Sequence, residues 1–138
     1  MKAQNNPFNL RCGDDQFGVD GHFRLGVLCC IDGYYSFTNL KYGCRAALKL
    51  MMYDLRRLGC YNGYDLIRYF VPLNDRIDFM YYCSENYTDG LLFRRFVYPK
   101  DYCPFANVLW CWLSGEKVNH VPYLETIVSE FSLRLWKQ

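Results

Sequence analysis

Apolar residues recur at helical intervals through most of this chain, but not through its first quarter. KYGCRAALKLMMYDLRRLG places alanine, leucine and methionine on one face, and Gly59 is suited to cap its C-terminus. Pro72 would stop a second helix, an asparagine would cap a third, and Pro122 suits the first turn of a fifth. The pattern therefore predicts five helices, in the segments beginning KYGCRAAL, GYDLIRYF, NDRIDFMY, DYCPFANV and VPYLETIV.

The first 36 residues are rich in glycine and have no helical period. FRLGVLCCI is typical of one short strand, or of two strands broken at Gly26, and DGYYSF suggests a turn into a second extended piece. These two segments predict a small β-hairpin. We therefore expect a single α+β domain spanning residues 1–138, mainly α, with a hairpin near the N-terminus.

Charge and hydropathy argue against two classes of protein. The net charge is only +2, and the nearest approach to a basic stripe is two short pairs, Arg56-Arg57 and Arg94-Arg95. Nucleic-acid-binding domains gather basic residues on one face, so we expect no nucleic-acid partner. The apolar runs are too short to cross a bilayer, which predicts that the chain has no membrane span.

The eight cysteines lack the CxxC spacing of zinc ribbons and thioredoxin-like sites. No apolar run follows Met1-Lys2, so no signal peptide is predicted, and we expect synthesis in the cytoplasm with mostly reduced thiols. The cysteine pattern thus predicts few or no disulfides, and we expect neither a metal nor a cofactor.

Two other site chemistries stay open at the level of sequence. His22 and His120 could serve a Cys–His hydrolase, but none of the cysteines stands out as its nucleophile. Asp14, Asp15 and Asp20 could bind calcium, but they lack the spacing of a calcium loop, and a solvated turn is the simpler interpretation.

The stretch WLSGEKVNHVPY places Glu116 directly after an apolar, tryptophan-rich helix. The carbonyl end of a helix and partial desolvation both favour a protonated carboxyl group, as a general acid requires. The alternative is that Glu116 lies in a solvated loop, which is the usual position of a glutamate.

The stretch NNPFNLR crowds three carboxamides and a guanidinium around Pro7, which keeps the segment out of a helix. Such groups either satisfy backbone atoms in an irregular loop or bind a polar ligand. The sequence alone leaves both interpretations open.

NNPFNLR resembles the NNPGNIR signature of a phage family of virion-associated, lysozyme-like peptidoglycan hydrolases and lytic transglycosylases. The family's next signature, a Phe followed by Gly-x-Arg-Ala at a helix start, resembles FTNLKYGCRA, in which Phe37 and Gly43 keep the spacing. Its later segments resemble LIRYFVP, NDRIDFMYY and WCWLSGEKVNHVPY, so that Glu116 falls on the family's glutamate. The chain departs from the family at Phe8, where the family has Gly, and at Gly115, where it has His.

The resemblance implies a lysozyme-like fold and cleavage of the glycan strand of peptidoglycan, by hydrolysis or by transglycosylation. Glu116 would be the catalytic acid and base, and one such residue suffices when the sugar's own hydroxyl or acetamido group completes the reaction. Asp75 and Asp78 are candidates for a second carboxylate.

The resemblance also suggests residues that bind the substrate. The carboxamides of Asn5, Asn6 and Asn9 suit N-acetyl and hydroxyl groups, and Arg11 suits a lactyl or peptide carboxylate. Two tyrosines at the family's aromatic positions are expected to contact the sugar rings, namely Tyr81 and Tyr123.

We therefore expect a phage protein that is associated with the virion and acts at the cell wall, with the glycan strand and other virion proteins as its partners. One alternative is an inactive virion structural or cargo protein that retains the fold. Another is a glycan-binding module without catalytic activity.

Overall fold

The computed structural model describes residues 2–12, 25–87 and 90–131, and it begins with an irregular segment followed by a β-hairpin. Strand β1 (Val27–Ile31) pairs antiparallel with β2 (Tyr34–Phe37). The two residues between them, Asp32 and Gly33, have φ angles of 51° and 85°. Positive φ at both positions is what a tight two-residue hairpin turn requires. The predicted hairpin is thus confirmed, with Gly26 (φ 78°) directly before its first strand.

The rest of the described chain is mainly helical, as predicted. Helix α1 (Leu40–Lys49) continues as a π-helical stretch through Leu55, and its Asn39 cap accepts a hydrogen bond from the Tyr42 amide. Asn62 caps the next helix in the same way. The following helices are α2 (Gly63–Phe70), α3 (Arg76–Asn86), α4 (Tyr102–Ser114) and α5 (Val121–Phe131). The α+β, mainly α fold class is therefore confirmed.

The predicted asparagine cap of the third helix is wrong. A short 3-10 turn (Leu73–Asp75) precedes α3, and Asp75, which occupies the capping position, makes no capping hydrogen bond through its side chain. Asn74 lies inside this 3-10 turn, which begins directly after Pro72, and therefore does not occupy the capping position of α3.

Helix α4 is the centre of the molecule. It is buried on nearly every side from Tyr102 to Cys111, which is the pattern of a helix surrounded by other elements. Phe79 of α3 packs edge-on against both Phe105 and Trp112 of α4. No helix in the described ranges is both long enough and apolar enough to cross a membrane.

One hydrophobic cluster connects the N-terminal segment to the helices. Phe8 and Leu10 are buried in the same cluster as the apolar faces of α1, α4 and α5. The segment before the hairpin is therefore part of the core and brings the NNPFNLR motif against α4.

Candidate functional site

The carboxamides of the NNPFNLR segment are engaged with backbone groups. Asn6 donates through Nδ2 to the carbonyls of Leu10 and Tyr35, and its Oδ1 accepts the Leu10 amide, each over 2.9 Å. Asn5 donates to the carbonyl of Phe37 over 2.9 Å. These bonds attach the segment to strand β2, as the loop interpretation of the motif requires for these two residues.

Gly43 explains why the two motifs of the resemblance occur together. A Cβ at Gly43 would overlap the carbonyl oxygen of Asn5, and it would also approach the ring of Phe37. Only glycine allows the N-terminal segment to cross α1 this closely. Asn5 reaches its φ of 58° in the left-handed region, which asparagine tolerates better than most residues. Both motifs are therefore requirements of one local packing arrangement.

Asn9 and Arg11 lie on the outer side of this segment. Both are exposed, and Arg11 forms an isolated antiparallel bridge with Tyr34 through its backbone. The next residue, Cys12, forms a disulfide with Cys30 of β1. Asn9 and Arg11 are thus the members of the predicted binding set in this segment whose side chains face solvent.

An aromatic stack joins the N-terminal segment to the loop that carries Glu116. Phe8 meets Trp110 of α4 edge-on with ring centroids 5.8 Å apart. His120 lies flat against the same indole, with ring centroids 3.6 Å apart and an interplanar angle of 7°. Tyr123 approaches Trp110 edge-on at 6.4 Å and is 37 % exposed. The presence of Phe8 where the family has Gly is explained by this packing.

Glu116 lies at the start of the α4–α5 loop and is exposed. Gly115 ends α4 in the left-handed conformation (φ 76°), and the Glu116 amide donates to Ser114 Oγ over 3.2 Å. The carboxylate is close enough to His120 to act on its pKa. Burial lowers the pKa of His120, and the negative charge of Glu116 raises it in part.

Polar contacts hold this loop in place on both sides. The buried Asn107 of α4 accepts the His120 amide through Oδ1 over 2.8 Å. Lys117 Nζ donates to Asn86 Oδ1 at the end of α3 over 3.2 Å. Glu116 is therefore presented by a loop that is connected to two helices.

A groove of about 840 Å³ begins one residue after Glu116. Lys117 and Asn119 line it from the loop, and Glu85, Asn86 and Tyr87 line it from the end of α3. Glu85 is the residue that sequence reasoning missed, since it looks like an ordinary surface glutamate until α3 and the α4–α5 loop are brought together. Asp75 and Asp78 lie at the other end of α3, about 16 and 12 Å from residue 86 along the axis at the usual helical rise.

Tyr81 does not line the groove beside the α4–α5 loop. It lines a separate cavity of about 470 Å³ with Ile77, Leu91 and Phe93. The predicted substrate-binding set is therefore divided between two regions. Tyr123 shares the tryptophan stack with the Glu116 loop, whereas Tyr81 belongs to an apolar cavity between α3 and the segment after it.

Five of the six free thiols in the described part of the chain are buried. Burial raises the pKa of Cys44, Cys83 and Cys103 to about 12, which keeps them protonated at neutral pH. Cys29 is exposed, and its neighbour Cys30 is in the disulfide. No group of three or more metal-ligating side chains is found in the part of the chain that the structure describes. The candidates Asp14, Asp15, Asp20 and His22 lie outside the described residues.

Comparison of this chain with protein-family models, with curated proteins and with solved structures finds no match.

Proposed function

We propose that this protein cleaves the glycan strand of peptidoglycan, with Glu116 as the acid and base. The observation that carries the proposal is the placement of Glu116 at the end of α4, beside His120 and the edge of an open groove. Tyr123 is partly exposed near this loop, and its ring is of the kind that sugar rings pack against. The resemblance to phage lysozyme-like enzymes supports the same residue as the acid.

The reaction requires one proton to be given and one to be taken back. Protonated Glu116 donates its proton to the glycosidic oxygen as the bond to the anomeric carbon breaks, through an oxocarbenium-like state. The resulting carboxylate then removes a proton from the attacking group. If that group is a hydroxyl of the same sugar, the product is an anhydro-sugar, and if it is water, the product is a reducing end.

Several charged and polar groups near Glu116 suit a glycan with acidic peptides. Lys117 and Asn119 line the groove and offer donors to hydroxyl, acetamido and carboxylate oxygens. Glu85 provides a second carboxylate on the opposite wall. Arg11 and Asn9 are exposed on the segment whose Phe8 packs against Trp110, and Arg11 suits a lactyl or peptide carboxylate.

A virion structural protein without catalytic activity is the second candidate, and two observations favour it. Glu116 is exposed, whereas general acids in glycosidases gain their high pKa from desolvation. Asn5 and Asn6 are engaged in holding the fold, so the most recognisable motif of the resemblance has a structural explanation.

Incubation with purified peptidoglycan, followed by mass analysis of the soluble products, separates these two functions. The enzyme releases muropeptides, with anhydro ends for a transglycosylase and reducing ends for a hydrolase. Glu116→Gln should keep the fold and lower the rate by about 100-fold or more, because an amide cannot donate the proton. Glu125→Gln on α5 is the matched control and should retain full activity. Absence of any product from the wild-type protein supports the structural role, and unchanged turnover in Glu116→Gln removes Glu116 from the mechanism.

A further inference from the structure

Two arginines that are far apart in the sequence converge on one tyrosine. The guanidinium carbons of Arg56 and Arg95 lie 5.2 and 4.7 Å from the centroid of the Tyr61 ring. Arg56 also donates to the carbonyl of Phe96 and to the Tyr102 hydroxyl, and the Phe96 amide donates to the carbonyl of Tyr61. Arg56 and Arg95, one from each arginine pair of the sequence, are therefore brought together by the contact between residues 60–64 and residues 91–97.

Basic side chains outnumber carboxylates around Tyr61 and the segment 91–101, and both carboxylates there accept hydrogen bonds from backbone amides. Arg94, Arg95 and Lys100 are exposed. Asp65 accepts the Tyr61 amide over 3.0 Å, and Asp101 accepts the amides at positions 97 and 98 over 2.7 and 2.6 Å. With Arg56, four cations less these two carboxylates give the region a charge of +2, which equals the net charge of the whole molecule.

Exposed aromatic rings stand beside these cations. Tyr64 and Phe93 are stacked with centroids 5.3 Å apart and an interplanar angle of 27°. Their exposed fractions are 50 % and 61 %, which is high for two large rings in mutual contact. The Tyr64 amide donates to the carbonyl of Leu92 over 2.8 Å, so the backbone holds the pair in place. Phe93 directly precedes Arg94 and Arg95 in the chain.

A cleft of about 260 Å³ is lined by residues of the same segment and of the start of α4. Arg94 and Lys100 contribute its cationic groups, Asp101 contributes a carboxylate, and Phe96 and Pro104 contribute apolar wall. Positive groups are thus present both at the Tyr61 ring and in the cleft, and the segment between them carries the exposed ring of Phe93.

We propose that this surface binds single-stranded nucleic acid. We call it the arginine–tyrosine surface and define it by Arg56, Tyr61, Tyr64, Phe93, Arg94, Arg95 and Lys100. Single-stranded nucleic acids bind to surfaces that combine cations for the phosphates with rings on which bases stack, and both are present here. An acidic peptide would need the cations alone and would leave the exposed ring pair without a role. The sequence led to the opposite expectation because its basic residues form only two short pairs, whereas the fold brings Arg56 and Arg95 to one tyrosine and Arg94 and Lys100 to one cleft.

The test is the fluorescence anisotropy of a labelled oligothymidylate of about 20 nucleotides, titrated with the full chain across a range of salt concentrations. Neutralisation of three phosphates, by Arg94, Arg95 and Lys100, predicts a slope of log affinity against log salt of about −2. Arg94→Ala/Arg95→Ala should weaken binding at least tenfold and make the slope shallower by about 1.4. Phe93→Ala should weaken binding about fivefold or more and leave the slope unchanged, because it removes stacking and no charge.

Lys2→Ala/Lys41→Ala is the matched control, because it removes the same charge from exposed positions elsewhere. It should bind like the wild type. Binding of polyglutamate or inorganic polyphosphate as tight as that of the oligonucleotide would overturn the proposal in favour of a general polyanion surface or an acidic protein partner. Equal losses in the arginine and lysine variants, or no binding at low salt, would also overturn it. These outcomes do not depend on glycan cleavage, which Glu116→Gln tests separately.

Discussion

Replacement of Asn6 by alanine tests whether the NNPFNLR segment is built to hold the fold. Asn6 is partly buried and makes three hydrogen bonds of 2.9 Å, two to carbonyls and one from the Leu10 amide. They connect the segment to itself and to strand β2. Alanine keeps the Cβ and removes all three bonds, so any loss of stability is attributable to them.

The magnitude follows from the number of bonds. A neutral hydrogen bond contributes about 1 kcal/mol net to stability, so three predict a loss of about 3 kcal/mol. The Leu10 amide, on a residue that is 4 % exposed, then lacks its side-chain acceptor, which adds to the cost. Domains of this size are stable by about 5–15 kcal/mol, so Asn6→Ala should remain folded with a melting temperature lowered by roughly 10 °C.

Urea and thermal unfolding, followed by circular dichroism, measure this change. Asn9→Gly is the control, because Asn9 is exposed, has a φ of 53° and makes no side-chain hydrogen bond in the described part of the chain. Glycine adopts that φ freely, so the control should stay within about 0.5 kcal/mol of the wild type. Equal losses of stability in the two variants would show that the three Asn6 hydrogen bonds do not hold the fold.

Three further predictions concern histidine, the thiols and the exposed arginine. Burial lowers the pKa of His120, so the unfolded chain takes up a proton first and native stability should decrease as the pH falls below about 6.5, the ordinary value. In His120→Phe, which keeps a ring against Trp110, urea midpoints should decrease less with acid, and an identical decrease would contradict this. Eight cysteines less the two in the Cys12–Cys30 disulfide leave six, so alkylation without reductant should modify six thiols after denaturation and mainly Cys29 before it. Recovery of two or fewer would mean a different disulfide pattern. Arg11→Ala should weaken glycan binding by about 1.5–3 kcal/mol at an unchanged melting temperature, and the reverse result would make Arg11 structural.

The helices and the hairpin could be predicted because their signals are local. Apolar spacing marks each helix, and Gly59 and Gly115 mark helix ends at which the structure has positive φ. The start of α3 was mispredicted because Asn74 lies inside the 3-10 turn that follows Pro72, and Asp75 takes the capping position instead. Caps depend on the geometry of one turn, and neighbouring proline can change that geometry.

The candidate site could be predicted only in part. Glu116 was identifiable because it follows an apolar helix and a left-handed glycine, which are local features. Glu85 was not, since it is defined by the approach of the end of α3 to the α4–α5 loop. Tyr81 was placed with the sugar-binding residues by pattern, but it lines a different cavity.

The sequence by itself determined the class of each element, because helical period, turn residues and caps act over a few residues. Only the tertiary structure decided what the polar motifs do, because that depends on distant partners. It directs Asn5 and Asn6 to the backbone of β2, places His120 on Trp110, and brings Arg56 and Arg95 to one tyrosine. Side chains of the same type are structural or available for binding according to whether the fold has already satisfied them, and the packing of distant segments decides that.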